Sequence, residues 1–302
     1  MVIDGARPKS EIARLANRLP VDYFAAMGHV FEFNDAREYD NWLKSPNRRF
    51  AAELENQLMM DMLKPMSGET LLDIGCGTGA SLRVFLDFGL QVTGIDPSPY
   101  MLDIAIETVR HRVDFYRGFA EDLPFDDNSF NYATLITSLE FVEDPRQALE
   151  EACRVAKDKV FIGVLNRYAL KGFQRRVRGM FTPTIFNRAR FFSVWEIKQM
   201  LAELLSKAPM SWRTVCQLPV TGNRLLSRME GSTLVQRCPF GTFAGIVVSL
   251  VPRFRIRPLT LRYKAGQAGP LPGLPMSPYH RATTSPVSFK DPAHGSPALR
   301  TP

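Results

Sequence analysis

The stretch Leu71-Leu72-Asp73-Ile74-Gly75-Cys76-Gly77-Thr78-Gly79 constrains this chain more than any other. Its apolar half reads as a buried strand that runs into a turn with three glycines in five residues. Glycine removes the Cβ that would crowd a tight turn or an approaching ligand. The pattern predicts a helix over about 80–88, stopped by Gly89, since glycine tolerates the left-handed geometry just past a helix end. The first amides of that helix point at whatever sits above the turn.

What the turn lacks narrows the ligand. A dinucleotide site reads G-x-G-x-x-G, with the pyrophosphate resting on the helix start. Here the pattern is G-x-G-x-G, and Asp73 stands two places before the first glycine. A carboxylate there repels a pyrophosphate and suits a ligand with a cationic amine. A phosphate-cradling loop needs G-K-[ST], and Gly79-Ala80-Ser81 has no lysine. A second apolar strand, Val92-Thr93-Gly94-Ile95-Asp96, ends in an acid 21 residues after Gly75. An acid at that place can accept hydrogen bonds from both ribose hydroxyls.

D-I-G-C-G-T-G followed by G-I-D resembles the class I S-adenosylmethionine (SAM)-dependent methyltransferases, most nearly the broad type 11 subgroup that includes the quinone-biosynthesis methyltransferases. The resemblance covers roughly residues 35 to 165 and continues more weakly to about 250. It implies an α/β, Rossmann-like, doubly wound sheet of seven strands, mostly parallel with an antiparallel edge hairpin, and helices on both faces. It implies S-adenosyl-L-methionine as cofactor. Asp73 would then lie near the methionine amine, and Gly75, Cys76, Gly77 and Gly79 would give backbone access. Asp96 and Pro97 would meet the ribose, Met101 the adenine and ribose, with core packing as its alternative, and Ile136 and Thr137 the methionine end. The family commonly has an acid where Phe119 stands. Adenine reading therefore passes to the backbone of Ala120 and Glu121, with Glu121 or Asp122 helping, or to packing alone. Tyr39 and Trp42 resemble the aromatic segment that covers the cofactor; packing of N-terminal helices onto the sheet is the alternative.

Other elements follow from periodicity and caps. Ser45-Pro46 starts a helix with Phe50, Leu54, Leu58, Met62 and Leu63 at helical spacing, read as structural. Ser98-Pro99 opens another, with Met101, Leu102, Ala105 and Val109 on one face. Val113–Tyr116, Tyr132–Ile136 and Val160–Leu165 read as strands three to five, and the helix opened by Asp144-Pro145 runs to about Ala156. Ser193 to Leu205 is an amphipathic helix. Arg213–Leu218 and Phe243–Leu250 fit the last two strands.

Open α/β sheets place ligands at the carboxyl ends of their strands. Thr137-Ser138-Leu139-Glu140-Phe141 occupies that position after the fourth strand. Glu140 is the catalytic candidate, orienting a substrate hydroxyl or acting as a general base; otherwise it caps or solvates the turn before Asp144-Pro145. The methyl group of SAM sits on a sulfonium and leaves readily, so most of the rate gain is alignment and exclusion of water. A base is needed only if the acceptor must lose a proton, and Glu140 and Tyr168 are the candidates.

Charge is unevenly spread. Residues 1–150 carry a balance of −11 and residues 151–264 one of +16, within a total of +7. The basic half fits an anionic partner or a solvated face. Lys171 to Arg190 interleaves six basic residues with Phe173, Phe181 and Phe186 and reads as a substrate lid, with nucleic acid or a membrane surface as alternatives. The four cysteines form no C-x-x-C pair and suggest a reducing compartment; the four histidines show no metal-ligand spacing. Met1–Arg18 has no apolar run, and Phe243–Val251 is too short for a transmembrane helix, which points to the cytoplasm.

The expected organisation is a lead-in over 1–45, a methyltransferase domain over 46–264 with insertions at about 166–192 and 219–240, and a Pro/Gly-rich, disordered tail over 265–302. The expected activity is methyl transfer by in-line displacement to a small aromatic, lipidic or acidic acceptor. The alternatives are an RNA or protein acceptor docked on the basic half, or a non-catalytic SAM-binding scaffold.

Overall fold

The sheet grows outward from the strand that enters the glycine turn. In the computed structural model the described residues are 30–110, 112–169, 189–206, 208–216 and 232–250. The stretch 1–29, the basic run 171–188, most of 219–240 and the tail 265–302 lie outside them. So do the expectations placed there.

β1 (Thr70–Ile74), β2 (Gln91–Asp96), β3 (Asp114–Arg117), β4 (Phe130–Ile136), β5 (Ala156–Leu165), β6 (Met210–Val215) and β7 (Phe243–Ser249) form one sheet in the order β3-β2-β1-β4-β5-β7-β6. β1 pairs in parallel with both β2 and β4, while β7 runs antiparallel between β5 and β6. The chain thus winds one way from β1 to β3 and the other way from β4. The reversal opens a crevice beyond the carboxyl ends of β1 and β4, where such sheets bind ligands. β6 starts and stops earlier than the sequence pattern suggests, because Met210 already pairs with Val248.

Helices cover both faces. α1 (Phe33–Leu43) and α2 (Pro46–Leu63) precede the sheet. α3 (Ala80–Phe88), α4 (Pro99–Val109), α5 (Pro145–Val155), α6 (Val194–Leu205) and the single turn α7 (Thr233–Gln236) follow in order. Local chemistry explains their ends. Gly79 and Gly89 flank α3 in left-handed conformations. Asp144 accepts from the amides of Arg146 and Gln147 ahead of Pro145, and Ser193 and Glu196 form a reciprocal capping box. Ser98 accepts from Met101 N at the start of α4 and donates its hydroxyl to Phe31 O at 2.6 Å.

Side chains alternate across a strand, so adjacent residues feed opposite layers. Leu72, Ala133, Leu135 and Ile162 pack with α5 and α6, while Leu71, Tyr132 and Phe161 pack with α2, α3 and α4. The lead-in over 1–45 contains a helix, α1, that hydrophobic periodicity does not reveal: only Ala36 within it is buried. Its start is held by a box in which Glu32 N donates to Asp35.

Candidate active site

A cleft opens at the sheet's reversal point. Including its mouth, it encloses about 1280 Å³. Its walls come from two parts of the chain.

The first wall is built on the ends of β1, β2 and β4. Gly75 N and Cys76 N both donate to Ile95 O, at 2.8 and 3.1 Å, which folds the turn back over β2. The three glycines then serve different ends. Gly75 has φ +71°, and a Cβ there would lie 2.4 Å from Ser138 Cβ, so it admits the loop after β4. Gly79, at φ +79°, lets α3 approach Ala105 of α4. Gly77, at φ +52°, has no atom within 4 Å of where a Cβ would stand; it lines the cleft and leaves the backbone open to a ligand. Asp96 accepts from Gly77 N and Ser98 N, both at 2.9 Å, and lies on the wall, 7% exposed. Burial pushes its carboxyl up to about 6, against the pull of those two amides. Cys76, Thr78, Pro97, Met101, Phe119, Ala120, Glu121, Ile136, Thr137 and Ser138 complete this wall. Glu121 is tied down by accepting from Glu143 N at 2.9 Å.

Thr137 has φ +50°, a conformation that costs a β-branched residue energy. It is held by donation of its amide to Gly163 O at 2.8 Å. Such outliers persist where the surroundings over-determine them.

Three sequence candidates sit behind the wall instead of on it. Asp73 is 1% exposed and accepts from Ser81 Oγ at 2.6 Å and Thr134 Oγ1 at 2.7 Å, so its side chain braces α3 and β4. Burial lifts it to about 6, the two hydroxyls opposing. Gly79 is used up as the cap of α3. Glu140 is 1% exposed. Its Oε1 accepts from Leu165 N at 2.6 Å, its Oε2 is buried without a hydrogen-bond partner, and its carbonyl accepts from Arg190 N. Burial pushes its carboxyl up to about 8. It therefore neither lines the cleft nor caps α5, which Asp144 does. Tyr168 stands off the wall, 53% exposed and stacked edge-on with Trp195.

The second wall was largely missed from sequence. Phe31, Tyr39 and Leu43 come from α1 and the residues before it. Arg48, Ala52, Glu55, Asn56 and Met59 come from α2, and Phe243 from β7. The α2 set recurs at helical spacing, one stripe beside the core stripe of Leu54, Leu58 and Met62. That mixed stripe was the available signal that one side of α2 faces the cleft. Arg48 meets Glu55 end-on, Nη1 to Oε1 and Nη2 to Oε2, both at 2.6 Å. The guanidinium also stacks over Trp42 at 4.8 Å. Burial pushes the Tyr39 phenol up, with Arg48 and the Thr137 side chain pulling the other way, so it stays neutral at ordinary pH. Among the described residues no cluster of His, Cys, Asp or Glu could hold a metal ion, and no helix is long and apolar enough to cross a membrane.

A family model described as "Methyltransferase domain" matches residues 72–162, which carry the first wall. An uncharacterized protein of Methanocaldococcus jannaschii is 33% identical over 182 residues, covering 60% of this chain and 82% of the relative. A demethylmenaquinone methyltransferase of Renibacterium salmoninarum is 39% identical over 101 residues, 33% of this chain. This chain spans only 42% of that relative's length. Among solved structures, a SAM-dependent methyltransferase of Thermotoga maritima, described as a possible histamine N-methyltransferase, superposes with a TM-score of 0.54 at 26% identity. That match covers 72% of this chain and 96% of the other.

Proposed function

We propose that this chain, which belongs to the SAM-dependent methyltransferases and uses S-adenosylmethionine as its cofactor, transfers the methyl group to a small molecule with a lipophilic body. The observation that carries the acceptor class is the second wall. Tyr39, Leu43, Met59 and Phe243 give it an apolar, partly aromatic face. Among the described residues its one cation, Arg48, is already paired, so a polyanionic strand finds little there to hold it.

The first wall fits the cofactor. Gly77 leaves open space above its backbone, and Asp96 offers a buried carboxylate whose oxygens retain lone pairs for a diol. We assign Asp96 and Pro97 to the ribose, Met101, Phe119, Ala120 and Glu121 to the adenine, and Gly75, Cys76 and Gly77 to backbone contact. Ile136 and Thr137 go to the methionine end. When bound, SAM supplies an electrophilic methyl on a sulfonium. The chain's own residues orient the acceptor and exclude water, which is where most of the rate gain in such a transfer arises. Asp73 contributes by bracing the turn from behind. Glu140 holds the loop after β4 to β5. Neither is assigned a proton to carry. The names of the demethylmenaquinone methyltransferases support a flat, lipophilic acceptor, although the match to the first of them covers only 33% of this chain. The scattered cysteines suit a reducing compartment, and we place the protein in the cytoplasm.

The test is transfer of labelled methyl from SAM into a cell extract separated into lipid-soluble molecules, polar small molecules, RNA and protein. Label in a small-molecule fraction is expected. Label confined to RNA or protein would overturn the acceptor class and return weight to the basic residues of 151–264 as a docking face.

A further inference from the structure

The charge arrangement on the acceptor side of the cleft also bears on which small molecules it admits. Arg48 is the one cationic side chain on the wall among the described residues. Both of its terminal nitrogens donate to Glu55, the two side chains are 12% and 9% exposed, and only its Nε is buried without a hydrogen-bond partner. One face of the guanidinium is covered by Trp42. Three carboxylates, Glu55, Asp96 and Glu121, share the same cleft.

An anion entering this chamber must leave water and needs a cation to offset the loss, which otherwise amounts to several kcal/mol. To gain a two-point grip on the guanidinium it must displace Glu55, which is bound in the bidentate geometry that makes Arg–carboxylate pairs strong; the Nε that is left offers a single N–H on a cation whose charge Glu55 already balances. An uncharged molecule meets no such opposition. Resting on the small-molecule reading above, we propose that the Arg48–Glu55 pair determines specificity: Glu55 occupies the guanidinium that an anionic acceptor would need, so the chamber takes an uncharged, flat, lipophilic acceptor and rejects its carboxylated counterpart.

The test uses two matched arenes, 2-naphthol and 6-hydroxy-2-naphthoate, titrated calorimetrically at pH 7 into the full chain saturated with S-adenosylhomocysteine. The expected result is at least tenfold tighter binding of 2-naphthol. Glu55→Gln, which frees the guanidinium's charge, should narrow or invert that ratio by at least tenfold. Equal or tighter binding of the naphthoate by the unaltered protein overturns the inference. So does an unchanged ratio in a folded Glu55→Gln protein, or failure of both arenes to bind. If Glu55→Gln does not fold, Glu55→Asp decides: it keeps the charge but its shorter side chain loosens the two-point grip on Arg48. The preference for 2-naphthol should narrow in that variant, and an unchanged ratio in the folded protein overturns the inference. Saturation with S-adenosylhomocysteine is itself the first titration. If it fails, the methyl-transfer reading fails. If it succeeds and the arene preference is absent, only this inference fails.

Discussion

The two walls of the cleft are built on opposite principles. On the first, polar side chains bind backbone: Asp96 holds the amides of Gly77 and Ser98, Glu121 holds that of Glu143, and glycine turns do the rest. On the second, polar side chains bind each other, as Arg48 binds Glu55. A wall made of backbone contacts presents a fixed shape and tolerates few changes anywhere along it. A wall made of side-chain pairs can change its chemistry by altering two residues. The family match stops at residue 162 and covers the first kind of wall, which suits a cofactor that does not vary.

Breaking the second wall should cost most in stability. Arg48→Ala leaves Glu55 buried without its partner, and removal of one member of a buried pair costs about 3–5 kcal/mol. Denaturant unfolding of the variant measures this; a loss below about 1 kcal/mol would mean the pair is effectively solvated. Gly75→Ala comes next. The added Cβ meets Ser138 Cβ at 2.4 Å in a left-handed conformation, a combination expected to cost roughly 2–3 kcal/mol. Gly77→Ala sharpens the contrast. With no neighbour within 4 Å it should cost about 1 kcal/mol in unfolding yet weaken SAM binding at least tenfold, because its methyl enters the cleft.

Asp96→Ala should weaken SAM binding by roughly 1–3 kcal/mol in a calorimetric titration, through loss of the hydrogen bonds assigned to the ribose. Unchanged affinity in a folded protein would remove Asp96 from the site. pH separates binding from folding at the same residue. Burial holds Asp73 and Asp96 near 6 and Glu140 near 8, above their ordinary values of 3.8 and 4.5. Groups raised in this way stabilise the fold fully below about pH 4 and lose that contribution as pH rises through 6 and then 8. The ligand-free protein should therefore melt at lower temperature at pH 8 than at pH 5. With Asp96 assigned to the ribose as a carboxylate, SAM binding is expected to move the other way, weakening by up to about tenfold per unit below pH 6. The smallest effect is expected from Glu140→Gln, which retains an oxygen to accept from Leu165 N. Turnover within about threefold of the unaltered enzyme is expected, whereas a loss of a hundredfold would restore Glu140 as a base.

Legibility in the sequence followed the same division. β1, the glycine turn, α3 and the acid ending β2 are local patterns in which backbone geometry dictates residue type, and the sheet order followed from resemblance to a fold with that opening. Arg48 and Glu55 lie two helical turns apart in a run rich in charges. Nothing local distinguishes them from solvated side chains, because their burial, and the Trp42 ring against Arg48, arise only in the folded chain. Glu140 is a different case. Its place after β4 suggests chemistry, but its side chain is buried against Leu165 N, and burial of that kind is a tertiary fact that the local sequence does not carry. The division of labour among the three glycines likewise depends on Ser138 and Ala105, both distant in sequence.

The Ser98 hydroxyl that donates to Phe31 O also has a recombination consequence. Nearly all of the second wall is one uninterrupted run, residues 31–59, that precedes the sheet and is pinned at its upstream end by this bond to the start of α4. Such a run behaves as a cassette. Crossovers placed just before Phe31 and after Leu63 would exchange acceptor chemistry between homologous enzymes in a single genetic event, leaving the cofactor strands unspliced. Ser98 is the socket that an incoming cassette must fit.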